Sequence, residues 1–349
     1  MNHLKVVSQF ALVILISLLV SCSGGGNKAK KTESKESAKV ELKQVEVNPE
    51  AKKLLQYLEE TGDYVNSRNF PSLIKASAVH EALSGNIKII DLRNKNAFAN
   101  GHIKGAVNVD FSQIPDYFTN KIKPFGFDKI VLVCYDGQIS SYATSLLRLM
   151  GYGNVYAMRW GMSSWNKDFA KDSWENSVSD KFEGKLELTE NEPDPLADFP
   201  LMNTGKSTGE EILSARFNSL FAAGTSDIFT NAEDVFDQPK NFYIINYERK
   251  DKYDSGHIPG AVRYKPNGTL GIVSEMESIP SDKEVAVYCG TGHNSGFVTA
   301  YLRLFGYNAK TLMYGNNAFM HGKMIEDRAK LSWLPFTDAE INDFDYVKN

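Results

Sequence analysis

The chain has few of the residues that build metal, disulfide and nucleotide sites. Its 349 residues include three cysteines, Cys22, Cys134 and Cys289, which are too few for a disulfide framework and lack the Cys-x-x-Cys spacing of a zinc site. No Gly-x-Gly-x-x-Gly sequence and no phosphate-loop lysine pattern is present, which argues against bound dinucleotides and nucleoside triphosphates. We therefore expect no metal and no dissociable cofactor.

An excess of charge of either sign is also missing. The chain carries 39 Lys and Arg residues against 43 Asp and Glu residues, for a net charge of −4. Proteins that bind nucleic acid usually present a strongly basic face, so nucleic acid is not an expected partner. With 42% hydrophobic and 23% charged residues, the composition is that of a globular protein, and the length is enough for about two domains.

The amino terminus has the pattern of a targeting segment. Residues 1–21 carry one charge, Lys5, and continue through the apolar run Phe10–Val20, as a secretory signal peptide does. That run is shorter than the roughly 20 residues that a membrane span needs. Leu19-Val-Ser-Cys22 resembles the lipobox of bacterial lipoproteins, which implies that Cys22 is acylated and begins the mature chain. A plain signal peptide or signal anchor is the alternative interpretation.

A polar segment follows Cys22. Residues 22–50 are rich in Gly, Ser, Lys and Glu and poor in apolar residues, so we interpret them as a flexible tether. The predicted location is the bacterial cell envelope, with a lipid anchor in a membrane. Ser23 after the cysteine favours the outer membrane, by analogy with lipoprotein sorting in enterobacteria, on the periplasmic or the surface face.

The rest of the sequence contains one internal repeat at a constant offset of 155 residues. The matching pairs are Gly101–Val107 with Gly256–Val262, Cys134–Ser140 with Cys289–Ser295, and Leu147–Tyr152 with Leu302–Tyr307. No insertion breaks the register between Asp91 and Tyr152. Two copies of one domain explain this pattern better than chance.

The repeat divides the chain into segments. Copy one is predicted to span residues 51–175 and copy two residues 208–335. Between them, residues 176–207 include the acidic, proline-containing stretch Glu190–Leu196 and are predicted to be a linker. Residues 336–349 are predicted to be a tail.

Each copy alternates short apolar runs with helical patterns, which predicts an α/β fold with a parallel sheet and helices on both faces. The predicted elements are a helix capped by Ser77 and continuing through Leu83, a strand over Ile87–Ile90 ending at Asp91, buried strands over Ile130–Val133 and Val285–Tyr288, and a helix at about 209–222. The two buried strands each lead directly into a cysteine. Ligands of open α/β sheets bind at that carboxyl edge.

Each cysteine begins a Cys-x-x-Gly-x-x-Ser loop between a strand and a helix. The predicted anion-binding loops are Cys134, Tyr135, Asp136, Gly137, Gln138, Ile139 and Ser140 in copy one, and Cys289, Gly290, Thr291, Gly292, His293, Asn294 and Ser295 in copy two. Loop N–H groups that converge on sulfur, with a helix amino terminus, lower the pKa of a thiol. Such a thiolate attacks sulfane sulfur and holds it as a persulfide. An inert buried cysteine is the alternative.

Several motifs occur together and in a characteristic order. Asp91-Leu-Arg93, Gly101–Asp110, the Cys134 loop and Trp160–Trp165 resemble the rhodanese (sulfurtransferase) family, over about residues 70–170 and 225–325. The resemblance implies two rhodanese-like domains. It also implies transfer of sulfane sulfur from a small anionic donor such as thiosulfate to a thiol or cyanide acceptor, with the donor entering a cleft between the copies.

Copy one resembles small single-domain rhodaneses, some of which have a Cys-Tyr-x-Gly-x-x-Ser loop, and it retains the Asp-x-Arg motif as Asp91 and Arg93. Its loop carries Asp136 and no basic residue. A negative charge two residues from Cys134 is expected to oppose both the thiolate and an anionic donor.

Copy two resembles the mercaptopyruvate sulfurtransferases, whose loop is Cys-Gly-Ser-Gly. The resemblance implies that Thr291 supplies a loop hydroxyl and that His102 and Asp91 assist it. The loop is expected to be neutral or mildly basic, with His293 either stabilising an anion or exposed to solvent.

Copy two also departs from the family. Asn246-Tyr-Glu248 replaces Asp-x-Arg, and Glu248 is expected to repel mercaptopyruvate unless Arg249 turns inward. Ile139 and Asn294 occupy the loop position where many rhodaneses have arginine, so slow turnover of thiosulfate is expected.

Three other functions use the same residues. A cysteine phosphatase needs an arginine six positions after the cysteine, where Ser140 and Ser295 occur instead. A non-catalytic module that binds an envelope protein or a small anion predicts unreactive cysteines. A redox role predicts a disulfide between Cys134 and Cys289, whose Cα atoms would then lie within about 7 Å.

Some residues have a structural interpretation beside the functional one. His102 and His257 lie in equivalent Gly-His-Ile turns, where a hydrogen-bonded structural histidine is the alternative to a role in the site. Trp160 and Trp165 are interpreted as packing residues.

Overall fold

The computed structural model of the protein describes residues 47–193, 196–268, 270–271 and 275–349. The predicted signal peptide, Cys22 and most of the predicted tether lie outside these residues. Within the described ranges, no helix is long and apolar enough to cross a membrane.

Copy one contains a five-stranded parallel sheet with the strand order β1-β5-β4-β2-β3. Its strands are β1 (Leu73–Ile74), β2 (Ile87–Asp91), β3 (Val107–Asn108), β4 (Lys129–Val133) and β5 (Val155–Met158). Its helices are α1 (Pro49–Thr61), α2 (Ala76–Glu81), α3 (Lys95–Asn100), α4 (Ile114–Asp116) and α5 (Gln138–Leu149). Helices α2 to α5 lie in the crossovers between parallel strands, and α1 precedes the first strand.

Copy two repeats this arrangement with the order β6-β10-β9-β7-β8. Its strands are β6 (Phe229–Thr230), β7 (Phe242–Asn246), β8 (Val262–Arg263), β9 (Glu284–Tyr288) and β10 (Ala309–Leu312). Its helices are α6 (Gly209–Ala222), α7 (Ala232–Asp237), α8 (Lys250–Asp254), α9 (His293–Leu304), α10 (His321–Glu326) and α11 (Arg328–Leu331). The predicted fold class is confirmed.

The offset of the sequence repeat reappears in the strand pairing. Ile87 of β2 pairs with Lys129 of β4, and the residues 155 positions later, Phe242 and Glu284, pair in the same way. The central strands β4 and β9 are buried along almost their whole length, as strands covered on both faces should be. Each of them ends directly before a cysteine.

Most of the predicted elements are observed. The helix expected at about 209–222 is α6, which begins with a capping box formed by Thr208 and Glu211. The predicted cap at Ser77 is wrong, because Lys75 has the extended conformation of the N-cap and α2 begins at Ala76. Ser77 therefore lies inside the helix.

The two copies face each other through equivalent helices. Helix α5 packs along α9, and α1 packs along α6. At the first contact, the Ser145 hydroxyl donates to the Phe297 carbonyl over 2.9 Å. Beside the second, the Glu50 carboxylate of α1 accepts from the N–H groups of Thr204 and Gly205, which precede α6. Because α5 and α9 each begin at a cysteine loop, this packing brings the two loops together.

The segments after each copy cross to the other copy. In the predicted linker, the Ser179 N–H donates to the Asn317 carbonyl and Glu187 pairs with His257 of copy two. In the predicted tail, Val347 pairs with His102 of copy one. Each copy is therefore covered by a segment that follows the other copy in sequence.

Gly209 is expected to be sensitive to substitution, because it lies where α6 meets α1. A Cβ atom at this position would lie 2.5 Å from the Lys53 carbonyl oxygen and closer still to the Tyr57 side chain. We expect Gly209→Ala to lower the free energy of unfolding by about 1–3 kcal/mol, measured by urea denaturation. Gly184→Ala is the matched control, since no atom lies within 4 Å of its Cβ position. Equal losses in the two variants would contradict this account.

Candidate active site

The two cysteines occupy equivalent places at the carboxyl ends of β4 and β9. Gly137 and Gly292 are the N-cap residues of α5 and α9, with φ angles of 92° and 76°. Glycine adopts this left-handed conformation without strain, which is why each loop has glycine at its fourth position. Both thiols are free, and Cys134 and Cys289 are only 1% and 2% exposed. The disulfide of the redox alternative is not formed.

The two loops lie against each other at the interface between the copies. A Cβ atom on Gly137 would collide with the imidazole of His293, and one on Gly292 would collide with the side-chain amide of Gln138. The side-chain oxygen Oε1 of Gln138 accepts from the Tyr314 N–H over 2.8 Å. Each loop therefore restricts the residue that the other loop can have at its glycine position.

In copy one, the loop N–H groups converge on sulfur as predicted. The Cys134 Sγ accepts from the N–H groups of Gly137, at 3.1 Å, and Ser140, at 3.5 Å. The thiol also contacts the Ser140 hydroxyl and the Asp136 carboxylate, each at 3.5 Å. The same Asp136 oxygen accepts from the Gln138 N–H at 2.8 Å.

The predicted lowering of the thiol pKa is wrong for Cys134. Burial, together with the Asp136 carboxylate, raises the pKa of the Cys134 thiol to about 12. Burial likewise raises the pKa of Asp136. The loss of water around a thiolate outweighs the hydrogen bonds that the loop supplies. The Asp136 carboxylate thus opposes the thiolate, as expected; its expected repulsion of an anionic donor stays a prediction.

The raised pKa predicts how Cys134 reacts with alkylating agents. A thiolate is the reacting species, so at neutral pH Cys134 has roughly a thousandfold less of it than an ordinary cysteine. We expect alkylation of the native protein by iodoacetamide to keep rising as the pH is raised from about 7 to 11. The Cys134 thiol ionises at a lower pH in the unfolded chain than in the folded chain. Its ionisation therefore lowers the free energy of unfolding as the pH rises above the ordinary cysteine pKa of 9.0. A rate at Cys134 that levels off below pH 10, assigned by peptide mass spectrometry, would contradict this.

In copy two, the main-chain donors to the sulfur are those of Thr291 and Ser295. The Cys289 Sγ accepts from the Ser295 N–H at 3.3 Å and contacts the Ser295 hydroxyl at 3.7 Å. The N–H of Gly290 donates to the Glu248 carboxylate over 2.5 Å. Burial and this carboxylate raise the pKa of the Cys289 thiol. The residues of the loop itself include no acid, and Glu248 adds a carboxylate from outside the loop.

The cation next to Glu248 is not the predicted one. Arg249 is turned outward, where it pairs with Asp251, so it does not compensate Glu248. Lys252 does, with its ammonium 3.3 Å from the Glu248 carboxylate and 4.5 Å from the centre of the Trp333 ring. Lys252 is not among the predicted site residues. Its spacing of four residues from Glu248 on a helical pattern was the available signal.

Neutralising Glu248 is expected to activate Cys289. In Glu248→Gln, the side-chain oxygen still accepts from Gly290, but the negative charge is gone and Lys252 loses its partner. We expect the pKa of Cys289 to fall and its alkylation at neutral pH to become about tenfold faster, the effect of one pKa unit. The exposed substitution Arg249→Gln serves as the control. An unchanged alkylation rate in Glu248→Gln would refute this effect of the carboxylate.

His293 connects the two loops. Its Nδ1 lies 2.8 Å from the Thr291 hydroxyl. Its Nε2 lies 3.0 Å from the Asp136 carbonyl and 3.2 Å from the main-chain nitrogen of Trp160. Burial, assisted by Arg159, lowers the pKa of His293 to about 3. The imidazole is therefore neutral and fully buried, which excludes the solvent-exposed interpretation.

The structure does not bring Asp91 and His102 to Thr291. The Asp91 carboxylate is held by Arg93, with Nη2 at 2.7 Å, and Arg93 also donates to the Gly101 carbonyl at 2.6 Å. His102 stacks on Phe98. Because Asp91 and His102 are occupied by these contacts, the implied assistance to the loop hydroxyl is not observed.

Both histidines of the Gly-His-Ile turns make structural contacts. The Nδ1 of His102 lies 2.8 Å from the Phe98 carbonyl, and the Nδ1 of His257 lies 2.9 Å from the Tyr253 carbonyl. Each imidazole stacks on the ring of that same residue. The structural interpretation of the two histidines therefore accounts for their positions.

Aromatic residues enclose the Cys134 loop. Trp160 and Trp165 are buried, as predicted. Trp174, which the sequence analysis missed, donates from Nε1 to the Asp136 carbonyl at 2.9 Å and stacks on Phe336 of the tail. Trp174 lies beyond the recognised motifs, so no sequence pattern marked it.

One side of this loop faces a cavity. Tyr135 is 41% exposed and lines a cavity of about 310 Å³ together with Arg93, Met162, Phe169 and Ser173. The cavity therefore borders the Cys134 loop at Tyr135.

Comparisons with known proteins agree with this architecture. Residues 75–168 and 230–321 match the model of a family described as "Rhodanese-like domain". The thiosulfate sulfurtransferase GlpE of Stutzerimonas stutzeri is 29% identical over 100 residues, covering 28% of this chain and 88% of the relative. That of Shewanella oneidensis is 34% identical over 82 residues, covering 23% and 77%. A thiosulfate sulfurtransferase structure from Pseudomonas aeruginosa matches 72% of this chain and 45% of its own, at 15% identity and a TM-score of 0.27.

Proposed function

The chain belongs to the rhodanese-like domain family, and from that membership we propose that it is a sulfurtransferase in which Cys134 carries sulfane sulfur as a persulfide. The observation that carries the proposal is the convergence of the Gly137 and Ser140 N–H groups on the Cys134 sulfur. Donors in this position stabilise the negative charge of a bound persulfide. The relatives that bear the name thiosulfate sulfurtransferase support the same reaction.

Cys134 is favoured over Cys289 for two reasons. In copy two, the N–H of Gly290 is bonded to Glu248 and is not available to an anion. In copy one, Tyr135 opens the loop toward a cavity, whereas the copy-two loop is buried at every position except Asn294, which is half-buried. A donor in this cavity therefore lies against the Cys134 loop at Tyr135.

The proposed reaction is a double displacement. The Cys134 sulfur attacks the outer sulfur of a small donor such as thiosulfate, the donor's S–S bond breaks, and the sulfite leaves with the electron pair. A thiol or cyanide then removes the outer sulfur from the Cys134 persulfide. The proposed steps require no metal and no dissociable cofactor.

A second candidate is a non-catalytic binding module. The burial of both thiols and the raised pKa of Cys134 and of Cys289 favour it, because both features slow attack on a donor. Its expected partner is another protein of the cell envelope or a small anion.

The decisive experiment measures the intact mass of the reduced full chain after incubation with thiosulfate. We expect a gain of one sulfur atom that cyanide removes as thiocyanate, and no gain in the double variant Cys134→Ser/Cys289→Ser. A wild-type protein that gains no sulfur and releases no thiocyanate, while both thiols remain free, would reject the sulfurtransferase and support the binding module.

We also propose that Cys22 is lipidated and anchors the protein in the cell envelope, with the outer membrane as the expected membrane. The proposal rests on the lipobox-like sequence Leu19–Cys22 and the polar segment after it. Metabolic labelling with a radioactive fatty acid should mark the wild-type protein and not Cys22→Ala. Equal labelling of both would refute it.

A further inference from the structure

The side chain of Asp136 lies beside Cys134 and has no role in the reaction as described above. Its Sγ lies 3.5 Å from Oδ1 of Asp136, and the two residues are 1% and 8% exposed. Among the described residues, no Lys or Arg lies within ion-pair distance of this carboxyl group, whose charge is stabilised only by hydrogen bonds such as that from the Gln138 N–H.

Two acids in such contact do not both ionise easily. A thiolate and a carboxylate repel each other where water is absent, so the pair holds one proton in common over a wide pH range. The proton lies either on sulfur or on the carboxyl oxygen, and the 3.5 Å contact is the path between them. The thiolate of this site therefore forms without loss of a proton to solvent when Asp136 takes the proton; at high pH it also forms by ionisation to solvent.

We propose that Asp136 is the general base and general acid of the Cys134 site. This inference rests on the proposed sulfurtransferase function and assigns a residue that carries its proton. Asp136 occupies the loop position that Thr291 has in copy two, where the hydroxyl instead contacts His293. Copy two therefore lacks the carboxyl group at this position.

The proton and the electrons balance in each step. As the Cys134 sulfur bonds to the outer sulfur of thiosulfate, its proton moves to the Asp136 carboxylate. The donor's S–S bond breaks, sulfite leaves with the electron pair, and the Asp136 carboxyl group returns the proton to give hydrogen sulfite. The result is a Cys134 persulfide anion, which needs no other oxidant or reductant.

The other titratable groups around Asp136 are less suited to this role. His293 faces the main-chain carbonyl of Asp136 and not its carboxyl group. Tyr314 packs against Trp174, and burial and the nearby Asp136 raise the pKa of its hydroxyl. The charge of Arg159 helps to lower the pKa of His293. Burial lowers the pKa of Arg159 itself, and Glu340 of the tail partly offsets this effect. Asp136 alone among these groups contacts the sulfur through its side chain.

The variant Asp136→Asn distinguishes two roles of Asp136: transfer of a proton, and repulsion of anions by its charge alone. Asparagine keeps the shape and the acceptor for the Gln138 N–H, so the loop has the same hydrogen bond available. If Asp136 only repelled anions, its removal would speed both alkylation and sulfur transfer. If it carries the proton, persulfide formation from thiosulfate falls about a hundredfold, because the leaving sulfite loses its proton donor. Alkylation of Cys134 by iodoacetamide is not slowed, because iodide leaves without a proton and the rate follows only the equilibrium fraction of thiolate.

The experiment measures both rates at the same pH in the full chain, for wild type, Asp136→Asn and Asp136→Glu, with thermal melting as the test of folding. We expect Asp136→Glu to recover part of the transfer rate. We also expect the wild-type transfer rate to fall toward low pH, as Asp136 becomes protonated, and this fall to be missing in Asp136→Asn. Sulfur transfer in Asp136→Asn that equals or exceeds the wild-type rate would overturn the proposal.

The two proposals fail in different ways. A wild-type chain that forms no persulfide removes the sulfurtransferase function, and the role of Asp136 with it. A wild-type chain that forms the persulfide, together with an Asp136→Asn variant that forms it as fast, removes only the role of Asp136.

Discussion

Cys134→Ser is expected to abolish persulfide formation and thiocyanate release, whereas Cys289→Ser is expected to keep most of the wild-type rate. The difference follows from the loops themselves. Cys134 receives two loop N–H groups and contacts Asp136, while the N–H group of Gly290 is bonded to the Glu248 carboxylate. A sulfur atom placed on Cys289 would therefore gain less stabilisation.

The two variants are a matched pair, because each replaces a buried thiol by a hydroxyl in an equivalent loop. Their melting temperatures should be similar, so that a difference in activity reports on chemistry. Intact mass after incubation with thiosulfate, followed by release with cyanide, measures both steps. If Cys289→Ser loses the activity and Cys134→Ser keeps it, Cys289 is the carrier and the assignment made here is wrong.

Ending the chain after Pro335 is expected to destabilise copy one, although every residue of its sheet remains. Phe336 is 3% exposed and packs on Trp160 and Trp174, with ring centres 5.4 and 5.3 Å apart. Loss of one buried phenylalanine side chain typically costs about 3–5 kcal/mol. The truncation also removes the pairing of Val347 with His102, so we expect at least this loss.

Two measurements on the truncated chain test this prediction: the free energy of unfolding in urea and the alkylation rate of Cys134. We expect both to change, because Trp174 holds the Asp136 carbonyl and loses its cover when Phe336 is absent. Removal of only Lys348 and Asn349, both exposed, is the control and should leave stability almost unchanged. A full truncation that melts like the wild type would show that the tail does not support copy one.

Much of the fold was predictable because it depends on local patterns. The repeat offset predicted two equivalent domains, and the runs Ile130–Val133 and Val285–Tyr288 predicted the central strands β4 and β9. The loop glycines and the convergence of N–H groups on Cys134 also follow from the sequence of strand, turn and helix. These features need only a few consecutive residues to be set.

The electrostatics of the site were not predictable in the same way. The loop pattern predicted lowered thiol pKa values, but burial, and with it Asp136 or Glu248, raises the pKa of both cysteines. How deeply a loop is buried depends on what packs over it. Here that includes the other copy and, at Cys134, Trp174 and the tail.

The sequence by itself determined the duplication, the parallel α/β sheets and the position of each cysteine at a strand end, because periodicity and turn residues encode them within short stretches. The tertiary structure alone decided which side chains meet. Glu248 reaches Gly290, His293 reaches the Cys134 loop, and the tail covers copy one. These contacts join residues far apart in the chain, and their energies depend on distance and on the exclusion of water, neither of which a linear pattern contains.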